Sequence, residues 1–245
     1  MIAFSWLWIP ITIFAAFVQN IRSAAQKHLT AELSTISVTM VRFLFGLPFG
    51  LLYLWFLNTC RTETFPEISL EFIAYSATAG AGQIIGTALL VYLFSLRNFA
   101  VGTAYARTEA FLTAIVGALL FGEAIIIYGW GAILISVAGV VLITVAKTGI
   151  NGGQLLTLLA DKSAWIGIIC GLFFAIASLT MRKASLMLGM DDFLFRAALT
   201  MIFMLTMQTV AMCLFVLVTN PSQYLIIWRN LKVCLLVGSQ ALRAR

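Results

Sequence analysis

Seven long apolar segments dominate this chain of 245 residues. A helix that crosses a bilayer needs about 20 mostly apolar residues, and each segment is close to that length. Charged residues make up only 10% of the chain, whereas soluble domains carry about 25%, so a water-facing surface cannot be assembled from them. The sequence therefore predicts an all-α membrane protein with about seven transmembrane helices. The predicted spans are Phe4–Ala25, Ile36–Leu57, Leu70–Leu96, Ala100–Phe121, Ile125–Ala146, Ala164–Met181 and Phe193–Val218.

The connections between these spans divide the chain into two parts. Most of them are very short, such as Arg97–Phe99, and short turns make neighbouring helices antiparallel hairpins. The longest connection is rich in glycine, which is typical of a linker. We therefore predict a first repeat of five helices at 1–147, a linker at 148–163 and an incomplete second repeat at 164–245.

The two parts share the order and spacing of several features. Because five helices is an odd number, the second copy must enter the membrane from the opposite side. Such an inverted repeat is common in transporters that bind their substrate between the repeats. The matching features are Trp8-Ile9 with Trp165-Ile166, Gln26-Lys27-His28 with Arg182-Lys183, Arg42 with Arg196, and Gly82-Gln83 with Ser239-Gln240.

The second repeat holds two full spans and part of a third. The segment Tyr224–Gln240 begins an eighth helix, but Arg229, Asn230 and Lys232 interrupt its apolar run. Counterparts of the fourth and fifth helices do not follow. We expect a C-terminally truncated or frameshifted product, or a fragment of a longer chain.

Glycine pairs at GxxxG spacing occur in three of the predicted helices. Small residues allow helix backbones to approach closely in lipid, so these pairs predict tight helix crossings. Pro48 lies between two of the glycines and predicts a kink in the second span. The pairs are Gly46/Gly50, Gly82/Gly86 and Gly167/Gly171.

Ionisable side chains within the spans are the strongest functional signal. Each costs at least about 2.5 kcal/mol at the bilayer centre and by default indicates function. The four are Arg42, Arg107, Glu109 and Arg196. Arg107 and Glu109 are two positions apart, about 200° around a helix, so they cannot share one face.

Two interpretations of the Glu109 helix stay open. In the first, Tyr105, Glu109 and Thr113 form a stripe that faces a central cavity, where Glu109 would bind substrate or exchange a proton during transport. In the second, Arg107 and Glu109 pair with other helices and fix the packing. Together with Gln83, Arg42 and Asn20, which are polar groups in apolar surroundings, the candidate substrate-binding residues are Glu109, Arg107, Tyr105, Gln83, Arg42 and Asn20.

The polar end of the first helix also has two readings. Gln19, Asn20, Arg22, Ser23 and Gln26 follow one another there. They form either the wall of a vestibule or a solvated helix terminus.

The sequence offers little for catalysis, metal binding or nucleic-acid binding. His28 is the only histidine, and no nucleotide-binding or metalloprotease motif is present. Asp191 and Asp192 are adjacent acids that could hold a metal in a membrane enzyme, but at a helix start such acids more often cap the helix. The basic residues are scattered rather than clustered, which argues against a nucleic-acid partner. We predict no enzyme and no cofactor.

One stretch of the first repeat carries a resemblance to a known family. Arg107-Thr108-Glu109, the apolar run Phe111–Phe121, Gly122-Glu123 and the helix of Gly131 and Gly139 that ends at Lys147 resemble the EamA-type domain of the drug/metabolite transporter superfamily. The stretch Trp8–Leu51, with Gln26-Lys27-His28-Leu29 and Arg42-Phe43, resembles the opening of bacterial members.

The resemblance implies ten helices in two inverted five-helix repeats around a central cavity. It also implies that Arg107, Glu109 and the polar ends of helices one and three line that cavity, and that Glu123 caps the turn after helix four. The expected function is a multi-pass permease or exporter of small organic solutes, such as metabolites, amino acids or drugs, in the inner membrane, working by alternating access. The alternatives are a transport-inactive remnant and, less favoured, the membrane enzyme. The family implies a cytoplasmic N-terminus, whereas the Lys/Arg distribution favours an external one; the sequence leaves the oligomeric state open.

Overall fold

All regular secondary structure in the described part of the chain is helical. The computed structural model describes residues 8–59, 65–96, 108–122, 129–131, 133–135, 138–139, 142 and 162–239. The helices are α1 (Trp8–Leu29), α2 (Thr35–Leu44), α3 (Gly46–Thr59), α4 (Leu70–Leu96), α5 (Glu109–Phe121), α6 (Lys162–Met187), α7 (Phe193–Thr219), α8 (Gln223–Arg229) and α9 (Leu231–Ser239). Residues 129–131, 133–135, 138–139 and 142, inside the predicted fifth span, are helical too.

Four stretches of the described chain are long and apolar enough to cross a membrane. They are α2 with α3 (Thr35–Thr59), α4, α6 and α7. These confirm an all-α membrane architecture. α1 has the length of a span but a polar second half, and the predicted fourth and fifth spans lie partly outside the described residues, so the count of about seven stays a prediction.

The second span is interrupted, as its proline predicts. α2 ends at Leu44, and α3 begins at Gly46 after a one-residue break at Phe45. Pro48 has no backbone N–H, so the carbonyl of Leu44 loses its helical partner. Ser34 begins α2 by accepting a hydrogen bond from the Ser37 N–H at 3.2 Å.

The sixth span differs from its prediction. It was predicted to end at Met181, but α6 continues through Arg182 and Lys183 to Met187. The two cations end the apolar run without ending the helix. The ammonium of Lys183 lies 4.9 Å from the centre of the Tyr75 ring on α4, which is a cation–π contact.

One compact unit comprises residues 1–68 and 188–245. In it α7 packs against α2 and α3, and α9 packs against α1, α2 and α3. The turn after α1 is held at two points. Asn230, in the break between α8 and α9, donates a hydrogen bond to the Glu32 carboxylate, and the Ser34 N–H donates to Gln223 Oε1 at 3.1 Å.

The other compact unit comprises residues 69–187. Here α6 packs against α4 and against α5. Two of the predicted packing glycines lie at the α4–α6 crossing. A methyl group at Gly82 would lie 3.1 Å from the Phe173 carbonyl oxygen, and one at Gly86 would lie 3.0 Å from the Phe174 ring. These contacts confirm that the glycines allow close approach.

The order of contacts shows that α4 and α6 run antiparallel. Tyr75 meets Lys183 near one end, and Leu93 meets Ala164 near the other. Between them the thiol of Cys170 donates a hydrogen bond to the Gly86 carbonyl oxygen at 3.2 Å. The predicted domain boundaries concern sequence symmetry rather than compactness, and they stay a prediction.

Candidate functional site

Glu109 is the first residue of α5, and its carboxylate reaches the neighbouring helix α6. The Ser178 hydroxyl donates a hydrogen bond to Glu109 Oε1 at 2.9 Å. Glu109 is half-buried and Ser178 is exposed. The predicted stripe-mate Thr113 instead donates its hydroxyl proton to the Glu109 backbone carbonyl at 2.7 Å. Within the described residues, the carboxylate thus accepts one hydrogen bond from a side chain and keeps part of its surface exposed.

A glycine brings the two helices close enough for this bond. The Cβ of any residue at Gly171 on α6 would overlap the Thr108 hydroxyl and lie 3.0 Å from the Glu109 backbone nitrogen. Gly171 and Ser178 are seven positions apart, two turns of a helix, so they face the same neighbour. The second glycine of the Gly167/Gly171 pair therefore positions the acid.

Gln83 lies in the same compact unit, on α4. It is half-buried, and its neighbour Gly82 packs against Ala177, the residue before Ser178. Gln83 and Ser178 are therefore at the same level of the α4–α6 pair. Gln83 and Glu109 thus belong to the same compact unit.

Arg42 and Asn20 belong to the other compact unit. Arg42 is half-buried in the last turn of α2, with its guanidinium carbon 5.8 Å from the centre of the Phe43 ring. Asn20 is exposed on α1. Tyr105, Arg107 and Glu123 lie outside the described residues, so the predictions on them remain as they were.

The comparison with protein families decides the class of this chain. The sequence profile of the EamA-like transporter family matches residues 6–145. The chain belongs to the EamA-like transporter family. A search of curated proteins found no match.

Membership of the EamA-like transporter family, together with the apolar helices, makes the chain a multi-pass membrane protein of transporter type. The family match covers all six predicted site residues, from Asn20 to Glu109. It does not extend to α6, which supplies Ser178. The hydrogen-bond partner of Glu109 therefore comes from a part of this EamA-like chain that the family match does not reach.

One feature that suggested other chemistry now has a structural explanation. Asp192 caps α7, because its carboxylate accepts hydrogen bonds from the N–H groups of Leu194 at 3.0 Å and Phe195 at 3.2 Å. This confirms the capping interpretation for that acid. Among the described residues no group of three His, Cys, Asp or Glu side chains could hold a metal ion.

Arg196 was predicted to be an intramembrane cation, and it lies in the first turn of α7. Its guanidinium donates a hydrogen bond back to the Met190 carbonyl oxygen at 3.1 Å, outside the helix. It also lies 5.6 Å from the centre of the Phe193 ring. Both of these contacts are local to the helix start.

The sequence did not single out Ser178, because a lone serine in an apolar helix carries no functional signal of its own. The signal was its spacing of two turns from a packing glycine, Gly171. On α1, the polar residues also differ in how far they are buried. Arg22 is 7% exposed and Gln26 is fully buried, whereas Asn20 is exposed.

Proposed function

We propose that the protein is a permease or exporter of small organic solutes that works by alternating access, with Glu109 at the site of solute or proton exchange. The observation that carries this proposal is the half-buried Glu109 carboxylate, held at one oxygen by Ser178 between two largely apolar helices. An acid in such surroundings is costly, which favours a functional role over a structural one.

The helix contacts support the inverted repeat that alternating access requires. In one unit the third predicted helix, α4, packs against the first helix of the second repeat, α6. In the other unit α9, the second half of the segment Tyr224–Gln240 predicted to begin the eighth helix, packs against α1. If the repeats are divided as predicted, the third helix of each packs against the first helix of the other, which is the exchange that a two-fold relation between repeats would produce.

The turns after α1 and α6 support one alignment of the two predicted repeats. The turns after α1 and α6 have the same length and end on capping side chains, Ser34 and Asp192. Alignment on these caps places Asn20 opposite Ser178, each nine residues before the end of its helix. It places Thr200, rather than Arg196, opposite Arg42.

This register supports Asn20 as a site residue. Its counterpart Ser178 is exposed in the same way and binds the Glu109 carboxylate. By this symmetry Asn20 would meet a group on the counterpart of α5. We extend the proposal to a non-enzymatic protein of the inner membrane in which Glu109 couples transport to protons.

The test is solute flux in proteoliposomes under an imposed pH gradient, with the native chain, Glu109→Gln and the matched control Glu67→Gln. Glu67 is exposed in the connection before α4. We expect Glu109→Gln to lose acceleration by the gradient while Glu67→Gln keeps it. Full coupling in Glu109→Gln would show that the acid is structural, and absence of any flux from the native chain would refute the transport function.

A further inference from the structure

A second polar pair lies on the buried face of α1. Ala15, Val18, Arg22, Gln26 and Leu29 are all less than 10% exposed and recur every three or four residues, so they form one stripe along the helix. Arg22 and Gln26 are one turn apart on this stripe. The polar end of α1 is therefore not simply a solvated terminus.

Gln26 is the unusual member of this stripe. Its amide nitrogen and oxygen are both buried, and neither makes a hydrogen bond within the described part of the chain. Some other buried polar groups in the same unit are satisfied by their own helices, whereas Arg196 Nε is also buried without a hydrogen bond in the described part of the chain. Thr39 donates to the Thr35 carbonyl oxygen at 2.9 Å, and Thr209 donates to that of Leu205 at 2.7 Å.

An unsatisfied amide at such a position is costly, because it has given up water and gained no partner. Native proteins keep few such groups, and binding of a molecule that the structure does not contain is one explanation of them. The amide of Gln26 has both a donor and an acceptor to offer to a bound molecule.

In the proposed repeat register, the equivalent buried positions of α6 carry neither a charge nor an amide. The counterparts of Arg22 and Gln26 on α6 are Thr180 and Ala184, which are 7% and 0% exposed. Thr180 bonds the Ile176 carbonyl oxygen at 2.6 Å on its own helix, and Ala184 has no polar side chain. The same buried positions are thus filled without a charge or a free amide in the other repeat.

We propose that Arg22 and Gln26 form a binding site for a small organic carboxylate. A guanidinium can hold both oxygens of a carboxylate, and the amide one turn further along can donate to one oxygen while accepting from a donor group of the same solute. This inference rests on the proposed transport function and names the class of its solute. It assigns solute contact on α1 to the buried face, in addition to exposed Asn20.

The burial of this pair defines when the solute can enter. Gln26 has no exposed surface in this structure, so a solute reaches it only after α1 and its surroundings rearrange. This is the behaviour expected of a site that opens to one side of the membrane at a time.

The experiment measures binding of three acid and amide pairs to the full chain in detergent micelles. The probes are benzoate with benzamide, glutarate with glutaramide, and N-acetylglycinate with N-acetylglycinamide, each titrated against the thermal-unfolding midpoint. The variants are Arg22→Lys, Arg22→Gln and Gln26→Glu. Ser23→Ala is the matched control, because the Ser23 hydroxyl bonds the Gln19 carbonyl oxygen at 3.0 Å on the same helix.

We expect the native chain and Ser23→Ala to bind at least one acid about tenfold more tightly than its amide, as loss of a charge-assisted contact implies. Arg22→Gln should remove this preference, Arg22→Lys should reduce it, and Gln26→Glu should remove or reverse it by repulsion. Gln26→Glu tests the site even if Arg22→Gln fails to fold.

The remaining outcomes each decide the question. A preference for acids that survives in Gln26→Glu, or equal binding of acids and amides by the native chain, overturns the site. Proteoliposome flux with the native chain separates the two proposals. If the native chain transports solute but does not prefer acids, the transport function is supported and the carboxylate site is refuted. If the native chain neither transports nor binds any of the probes, both proposals are refuted.

Discussion

Replacement of Gly171 by alanine tests the close approach of α5 and α6 that positions Glu109. The new methyl group would overlap the Thr108 hydroxyl and lie 3.0 Å from the Glu109 backbone nitrogen and 3.3 Å from Leu112 Cδ1. The hydroxyl can rotate away, but the backbone nitrogen cannot move unless the start of α5 moves with it. The substitution therefore separates the two helices by a few tenths of an ångström.

The magnitude follows from two opposing terms. Overpacking a close contact costs about 1–3 kcal/mol, and a backbone contact belongs at the upper end of that range. Alanine recovers up to about 1 kcal/mol through its higher helix propensity. We expect a net loss of about 1–2 kcal/mol in the free energy of unfolding, together with reduced flux because Glu109 is displaced from Ser178.

The assay is thermal unfolding in detergent micelles, followed by tryptophan fluorescence, beside two glycine controls. At Gly139 no atom of the described residues lies within 4 Å of a new methyl group, so Gly139→Ala should be neutral or slightly stabilising. The three atoms nearest to a methyl group at Gly50 all belong to side chains, the nearest being Ile202 Cγ1 at 3.3 Å, so Gly50→Ala should lie between the two. A melting temperature for Gly171→Ala equal to that of Gly139→Ala would refute the tight α5–α6 contact.

Three further substitutions address other contacts. Ser178→Ala should lower solute flux several-fold with little loss of stability, because Ser178 is exposed and donates a hydrogen bond to Glu109. Ser95→Ala serves as the control, because the native Ser95 hydroxyl bonds only the Tyr92 carbonyl oxygen of its own helix among the described residues. Equal flux in the two variants would show that Ser178 is not part of the site. Asp192→Ala should cost about 1 kcal/mol in unfolding experiments by removing the cap of α7; an unchanged melting temperature would contradict the capping role. Asn230→Ala should speed hydrogen exchange in the turn after α1, because it removes the bond to the Glu32 carboxylate, and unchanged exchange there would show that this bond contributes nothing.

Helix boundaries could be predicted well where composition changes sharply. Leu70–Leu96 was predicted to the residue, and the seventh span differs by one residue at its end. The break before Pro48 and the interruption at Asn230 also follow from the local sequence. Apolar length, a missing backbone N–H and a capping side chain are properties of short segments, so they act whatever surrounds them.

Boundaries were less well predicted where charge and helix propensity disagree. Arg182 and Lys183 end an apolar run, yet both are good helix formers, so α6 continues past them to Met187. Tyr75 on α4 offers its ring to Lys183. No local pattern in α6 reveals that partner.

For the candidate functional residues too, some properties follow from the sequence and others only from the tertiary structure. The sequence by itself determined that Glu109 is an acid in a largely apolar segment and that Gly171 allows close packing. Only the tertiary structure decided that Ser178 meets Glu109 and that Gln26 is fully buried while Asn20 is exposed. The reason is physical: helical periodicity fixes which side chains share a face, but the helix that covers that face comes from distant parts of the chain.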